Sequence, residues 1–250
     1  MSTTTLTWIG GPTAVLEYAG LRIVTDPTFD PPGSYGEPDD SPLVKTTGPG
    51  IPRSELGHVD LVLLSHHEHE DNLDYEGLEL LATGVPTLST TKAGTDLFGG
   101  GVVGLDNWET HEIGGVTITA VPALHGPPGS EARLGPVIGF VLEAPGEPTI
   151  YVSGDNASLP LVEQIAGAFD HIDIAVLFAG AVRVPDIDAY LTLTSADAVT
   201  AATMLGVSKV VGIHTDDWEH FTENREQLEA AFEGTGLLVP TPRAVTVELS

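Results

Sequence analysis

Short runs in which apolar residues alternate with polar ones, or stand alone, recur along the chain between Gly- and Pro-based turns, a pattern that predicts strands. Thr5–Ile9, Ala14–Tyr18 and Leu21–Thr25 are the first three, divided by Gly10-Gly11-Pro12 and Ala19-Gly20, and they predict an antiparallel meander. Leu61–Leu64 is continuously apolar and reads as a buried strand. Thr87–Ser89 and Val102–Leu105 are brief strands, and Trp108–Ile113 with Val116–Val121 flank Gly114-Gly115 as a hairpin. Val137–Leu142, Thr149–Val152, Ile172–Phe178, Lys209–Ile213 and Ala244–Leu249 complete the strands.

Helical spacing is confined to Leu73–Thr83, Ser158–Phe169, Ser195–Leu205 and Thr222–Phe232. The third opens on Ser-x-Asp, which suits a helix N-terminus. Asp26–Arg53 carries eleven Pro and Gly residues and few apolar side chains. A loop this long in a compact fold is either a wall or lid over a site or a mobile insertion, and its composition leaves both open. No solenoid-length repeat and no low-complexity tract interrupts the chain.

Length then bounds the picture: 250 residues, 41% of them hydrophobic, are enough for one sizeable core, so a single domain over 1–250 is expected. Charge changes it more. Thirty-six acids against nine bases give a formal net charge of -27, which argues against nucleic acid or an anionic membrane as a partner, since both call for basic patches. A small, neutral or modestly charged molecule is the expected partner, and a homo-oligomer stays open. Cysteine is absent, which excludes thiolate metal sites, disulfides and cysteine nucleophiles. The start MSTTTLTWIGG has no secretory pattern, and no run approaches the eighteen apolar residues of a membrane span, so a soluble, cytoplasmic protein is expected.

The sequence has only three lysines, Lys45, Lys92 and Lys209. An acid-rich, lysine-poor surface fits adaptation to high salt, where screening removes the self-repulsion of so large a charge. On this hypothesis the urea midpoint rises between dilute buffer and molar potassium chloride; equal midpoints in the two would exclude it.

The densest chemistry lies in Ser65–Asp74, SHHEHEDNLD, directly after the Leu61–Leu64 strand: His66, His67 and His69 among Glu68, Glu70, Asp71 and Asp74. Imidazole with carboxylate is a donor set for a zinc-type ion, and four crowded acids are expected to repel one another unless a cation sits among them. The bland alternative is a solvated acidic turn. The same motif, an apolar strand followed by a metal-competent residue, recurs at His125, Asp155 and His214. Alone, His125 or His214 reads as a satisfied loop histidine and Asp155 as a helix cap; together with the cluster, four strand ends predict convergence at one sheet edge.

Five segments in order, GGPTAVLEYAGLRIVTDPTFDPPG, LVLLSHHEHEDNLD, VPALHGPPG, YVSGDNA and VGIHTDDWEHF, resemble the metallo-β-lactamase fold hydrolases, most closely their ascorbate-phosphate-lactonase-like branch. The resemblance covers nearly the whole chain. It implies an α+β fold, an αββα four-layer sandwich with the metal site at one edge. It also implies that His66, His69 and His125 hold one divalent ion and Asp71 with His214 a second, with Asp155 bridging. The sequence departs from the family's His-x-His-x-Asp-His: one residue is extra, and Asn72 stands where the final histidine is expected. Anchoring on the strand end selects His66 with His69; anchoring on Asp71 selects His67 instead, and His66 is preferred. Asn72 is a weak donor beside imidazole, so a looser second site is expected.

The resemblance further implies a metal-dependent hydrolase with one or two divalent ions, zinc first, manganese or magnesium as alternatives. A metal-bound hydroxide would cleave an ester, lactone, amide or phosphodiester bond, with Asp71 or Asp155 holding the water and shuttling its proton. His220 is expected near the site as a proton donor, substrate contact or support; His58, His111 and His171 read as surface residues. The rival is a degenerate relative that binds metal or ligand without turnover, motivated by Asn72 and the irregular histidine spacing. A serine hydrolase is disfavoured, because no Gly-x-Ser-x-Gly elbow occurs.

Overall fold

A computed structural model describes residues 3–36, 42–97 and 101–250. In chain order the strands and helices are β1 (Thr5–Gly10), β2 (Thr13–Tyr18), β3 (Leu21–Thr25), β4 (Gly33–Tyr35), β5 (Leu43–Lys45), β6 (Leu61–Leu63), α1 (Tyr75–Leu81), β7 (Thr87–Thr90), α2 (Thr91–Asp96), β8 (Val102–Leu105), β9 (Thr110–Ile113) and β10 (Val116–Pro122). Then come α3 (Glu131–Leu134), β11 (Ile138–Glu143), β12 (Ile150–Val152), α4 (Leu159–Ala168), β13 (Ile174–Phe178), α5 (Ser195–Leu205), β14 (Lys209–Ile213), α6 (Arg225–Ala231) and β15 (Thr246–Glu248). One sheet has the order β15-β1-β2-β3-β6-β7-β8, the other β14-β13-β12-β11-β10-β9.

Side-chain alternation builds four layers from these two mixed sheets. In β13, Ile174, Val176 and Phe178 enter the core between the sheets, whereas Ala175 and Leu177 face the opposite way, onto a second core with Val162 and Ile165 of α4 and Ala198, Ala201 and Ala202 of α5. In β6, Leu61 and Leu63 join the central core, while Val62 packs outward with Leu80 and Leu81 of α1. Strands buried on both faces explain the continuous apolar runs in the sequence. The result is the expected α+β, αββα sandwich. Among the described residues no helix is long and apolar enough to cross a membrane.

Strand direction decides where the chemistry goes. β3 and β6 are parallel, as are β12, β13 and β14. β10 is separated from β12 by β11, antiparallel to both, and so runs in the same sense as β12. The C-terminal ends of β10, β12 and β14 therefore share one edge, and the second sheet meets the end of β6 there through Ile138 N–H, which donates to Ser65 C=O at 3.1 Å. Gly154 permits this approach: its φ is +56°, and a Cβ there would lie 2.7 Å from Ser65 Cβ and 2.6 Å from Ile138 O.

The Asp26–Arg53 stretch is not structureless. β4 and β5 pair antiparallel, with Gly33 opposite Lys45 and Tyr35 opposite Leu43, while residues 37–41 of that stretch lie outside the described residues. β5 is docked on the segment after β14: Thr46 N–H donates to Asp217 C=O, Glu219 N–H to Val44 C=O, and Lys45 bridges to Trp218. Two short helices, α2 and α3, lie where the sequence shows no helical spacing. α5 is capped one residue earlier than the Ser-x-Asp reading, by a reciprocal box between Thr194 and Asp197.

Candidate metal centre

The four strand ends converge. His66, His69 and His125 form one group of potential metal donors, and Asp71, Asp155 and His214 a second, each with ligand atoms mutually within 4.8 Å. His66 and His125 come after β6 and β10, Asp155 after β12 and His214 after β14. All but His69 are buried.

In the first group the ring orientations are fixed from behind. Ser65 donates both its N–H (2.9 Å) and its O–H (2.7 Å) to Asp26 Oδ1. With its proton spent, Ser65 Oγ accepts from His66 Nδ1–H at 3.0 Å, leaving His66 Nε2 with its lone pair forward. His125 Nδ1–H donates to Leu191 C=O at 2.8 Å, which likewise frees Nε2. His66 Nε2 and His69 Nδ1 face each other at 2.8 Å, a contact that needs either one shared proton or a cation. Burial, then the neighbouring His69 and His125, hold His66 well below its ordinary pKa; burial and His69 push His125 down to about 3. Neutral imidazoles are the form a metal takes.

The second group is built of carboxylates. Burial, then the charges of Asp71 and Asp26, push Asp155 well above the usual carboxylate range. Burial works on Asp71 in the same sense, but His220 and His214 outweigh it and hold its carboxyl well below that range. Asp71 Oδ2 lies 2.9 Å from His220 Nε2 and 3.4 Å from His214 Nε2. His214 is held in the left-handed region (φ +58°) between Phe178 and Phe221, with its N–H donating to Gly11 C=O. A Cβ at Gly180 would meet His214 O at 2.2 Å, so this close approach requires glycine. Non-glycine residues in that region cost energy and cluster at functional sites.

The donors fit a divalent cation on their own chemistry. Asp155 Oδ2 and His214 Nε2 are buried without a hydrogen-bond partner, a cost of the order of 1–3 kcal/mol each that an ion in contact with them removes.

Other readings of the loop change. His67, the reserve ligand, points away: its Nε2 lies 3.2 Å from Asp96 and its Nδ1 3.3 Å from Glu68. The expected mutual repulsion of four acids does not arise, because they are dispersed. Glu68 faces Lys92 and His67, and Asp74 pairs with Lys45 at 3.1 Å and caps α1 through Gly77 N–H. Asp71 alone of the four enters a donor group. Asn72 Nδ2–H donates to Asp155 Oδ1 at 3.2 Å and orients that carboxylate, while Asn72 Oδ1 is buried without a hydrogen-bond partner. His220 lies beside Asp71, on the wall of a cavity of about 660 Å³ that also reaches His69. His58 and His171 are exposed beside Asp60 and Asp173, and His111 is half-buried on β9. Asp26 and Ser65 escape sequence reasoning as supports, although Asp26 sits at a strand end like the others and has a positive φ of 30°.

The Beta-lactamase superfamily domain matches residues 21–215, which span the chain from β3 through His214. A metal-dependent hydrolase of Pyrobaculum calidifontis is 28% identical over 233 residues, covering 90% of each chain. Two solved structures share the fold. An isothiocyanate hydrolase from Delia radicum gut bacteria superposes with a TM-score of 0.84 at 23% identity, covering 98% of this chain and 99% of the other. Igni18, a metallo hydrolase of the archaeon Ignicoccus hospitalis, gives 0.74 at 22% identity, with both chains fully covered. With its fold, its two donor groups and a match over most of its length, the chain belongs to the beta-lactamase superfamily.

Proposed function

We propose that the protein is a metal-dependent hydrolase of a small molecule, in which His66, His69 and His125 hold one divalent ion, Asp71 and His214 a second, and Asp155 is shared. The observation that carries this reading is the convergence of the two buried donor groups, with Asp155 Oδ1 3.8 Å from His214 Nε2 and Asp155 Oδ2 on the His125 side without a hydrogen-bond partner. A bound zinc-type ion lowers the pKa of a coordinated water from about 15.7 to near 7 and polarises the bond under attack. Three imidazoles suit zinc, and the carboxylate-rich group admits manganese or magnesium.

The protein's own residues divide the remaining work. Asp71 or Asp155 would hold the attacking water and take its proton; Asp71 Oδ2 lies 2.9 Å from His220 Nε2 and fixes that ring, and Asp155 Oδ2 is buried without a hydrogen-bond partner. Asn72 and Ser65 keep Asp155 and His66 aimed. An ester or lactone is the preferred bond, in keeping with the lactonase-like branch that the motifs resemble, and a phosphodiester is the alternative. The strongly acidic chain disfavours a nucleic acid.

The test is metal analysis of protein purified without chelator, followed by assays on esters, lactones, bis-phosphodiesters and, given the structural neighbour, aryl isothiocyanates. Bound transition metal is expected, with turnover of at least one class that chelation abolishes and added metal restores. Bound metal with no turnover of any class would favour a binding role instead.

A further inference from the structure

The cavity beside the donor groups is lined by the acids Glu68, Glu70, Asp186 and Glu219 and by two arginines. On the β4–β5 side, Glu70 packs against Gly36, where a Cβ would lie 3.4 Å from its Oε1, and Glu219 is joined to Val44 through its backbone N–H. The two arginines of the lining are Arg133 and Arg183. In a chain with nine basic residues and a net charge of -27, two guanidiniums on one cavity are a concentration of positive charge that the proposed hydrolysis does not use.

Both arginines are mounted on segments that carry the centre. Ser130 O–H donates to His125 C=O at 2.6 Å, and the α3 turn with Arg133 begins at the next residue. Arg183 N–H donates to His220 C=O at 3.1 Å, beside a bridge between Val182 and Phe221. Their ionic partners are solvated: Arg133 pairs with Asp186 at 3.0 Å and Arg183, 5.2 Å from the Tyr190 ring, with Asp188 at 2.7 Å, and those aspartates are 73% and 102% exposed. Solvated pairs of this kind are weak and exchange readily. Their present partners are carboxylates, so a substrate carboxylate entering the cavity replaces like with like, and the planar fork of arginine binds it through two hydrogen bonds.

We infer that Arg133 and Arg183 bind a carboxylate on the substrate, so that the hydrolysed molecule is a small acid whose scissile bond lies toward His69 and His220. This rests on the hydrolase reading of the same site. Metal-loaded protein is assayed on para-nitrophenyl acetate and on mono-para-nitrophenyl succinate, which differ by a carboxymethyl group on the acyl chain. The ratio of kcat/KM, succinate ester over acetate ester, is expected to fall by about tenfold or more in the Arg133→Ala/Arg183→Ala protein, through KM rather than kcat. It is expected to hold in Arg22→Ala, whose guanidinium pairs with Glu17 away from the cavity. An unchanged ratio in the double variant overturns the assignment.

If wild-type protein cleaves neither ester, the hydrolase reading fails for this bond class and the carboxylate site is read by calorimetry with succinate. Binding weakened about tenfold or more in the double variant supports it. Equal binding in both proteins, or none to wild type, overturns it.

Discussion

Asp155→Asn is expected to lower kcat/KM on the order of 10²- to 10³-fold, the range seen when one preorganised charge-stabilising group is removed. It should also reduce bound metal relative to wild type, because a carboxylate is lost from the Asp71, Asp155 and His214 group. The same substitution is expected to leave the chelator-treated protein at least as heat-stable as wild type. Asp155 is fully buried, and burial with the charges of Asp71 and Asp26 disfavours its ionised form. Asparagine keeps an oxygen to accept from Asn72 and removes the repulsion. Added metal should therefore raise the melting temperature of wild type and do so far less in the variant. Wild-type metal content together with wild-type turnover would remove Asp155 from the centre.

That opposition of stability and function is what makes the site legible in sequence. A strand end that carries a buried acid or imidazole with an unpartnered polar atom breaks the rule that buried ionisable groups are paired, and it does so at Asp155 and His214. Adjacent histidines after one strand are not separable in this way. Whether His66 or His67 turns inward depends on Ser65 and Asp26 behind the first and Asp96 beside the second, residues up to 40 positions away. Crowding of the four acids misleads for a related reason: the cations that relieve Glu68 and Asp74 are Lys92 and Lys45, and sequence distance hides both pairings.

For the fold, strands buried on both faces are legible as apolar runs, and Gly114-Gly115 locates its hairpin. α2 is not, because six residues TKAGTD show no helical period; it forms from the Thr90 cap on Ala93 N–H and its packing beside β7 and β8. The β4–β5 pair is hidden in a Pro- and Gly-rich stretch, since what orders it is contact with Trp218 and Asp74 rather than its own composition.

Lys45→Met is expected to destabilise the protein by about 3–5 kcal/mol, a large part of the roughly 5–15 kcal/mol typical of a whole domain. Lys45 and Asp74 are 3% and 0% exposed, and the ammonium also lies 5.4 Å from the Trp218 ring. Removing it leaves a buried carboxylate whose remaining partners are the Asp30 N–H at 2.6 Å and the α1 cap at Gly77. A fall in the urea midpoint measures the loss, and adding Asp74→Asn in the Lys45→Met background should recover part of it, because the stranded charge is gone while a side-chain oxygen still caps the helix. The loss should persist in molar salt, unlike effects of net charge, since a buried pair is poorly screened. Because β5 forms a wall of the cavity, KM should rise in the same variant. A loss below about 1 kcal/mol, the range of a solvated surface pair, would mean that water reaches Lys45 and that this wall is held by its backbone contacts to Asp217 and Glu219 instead.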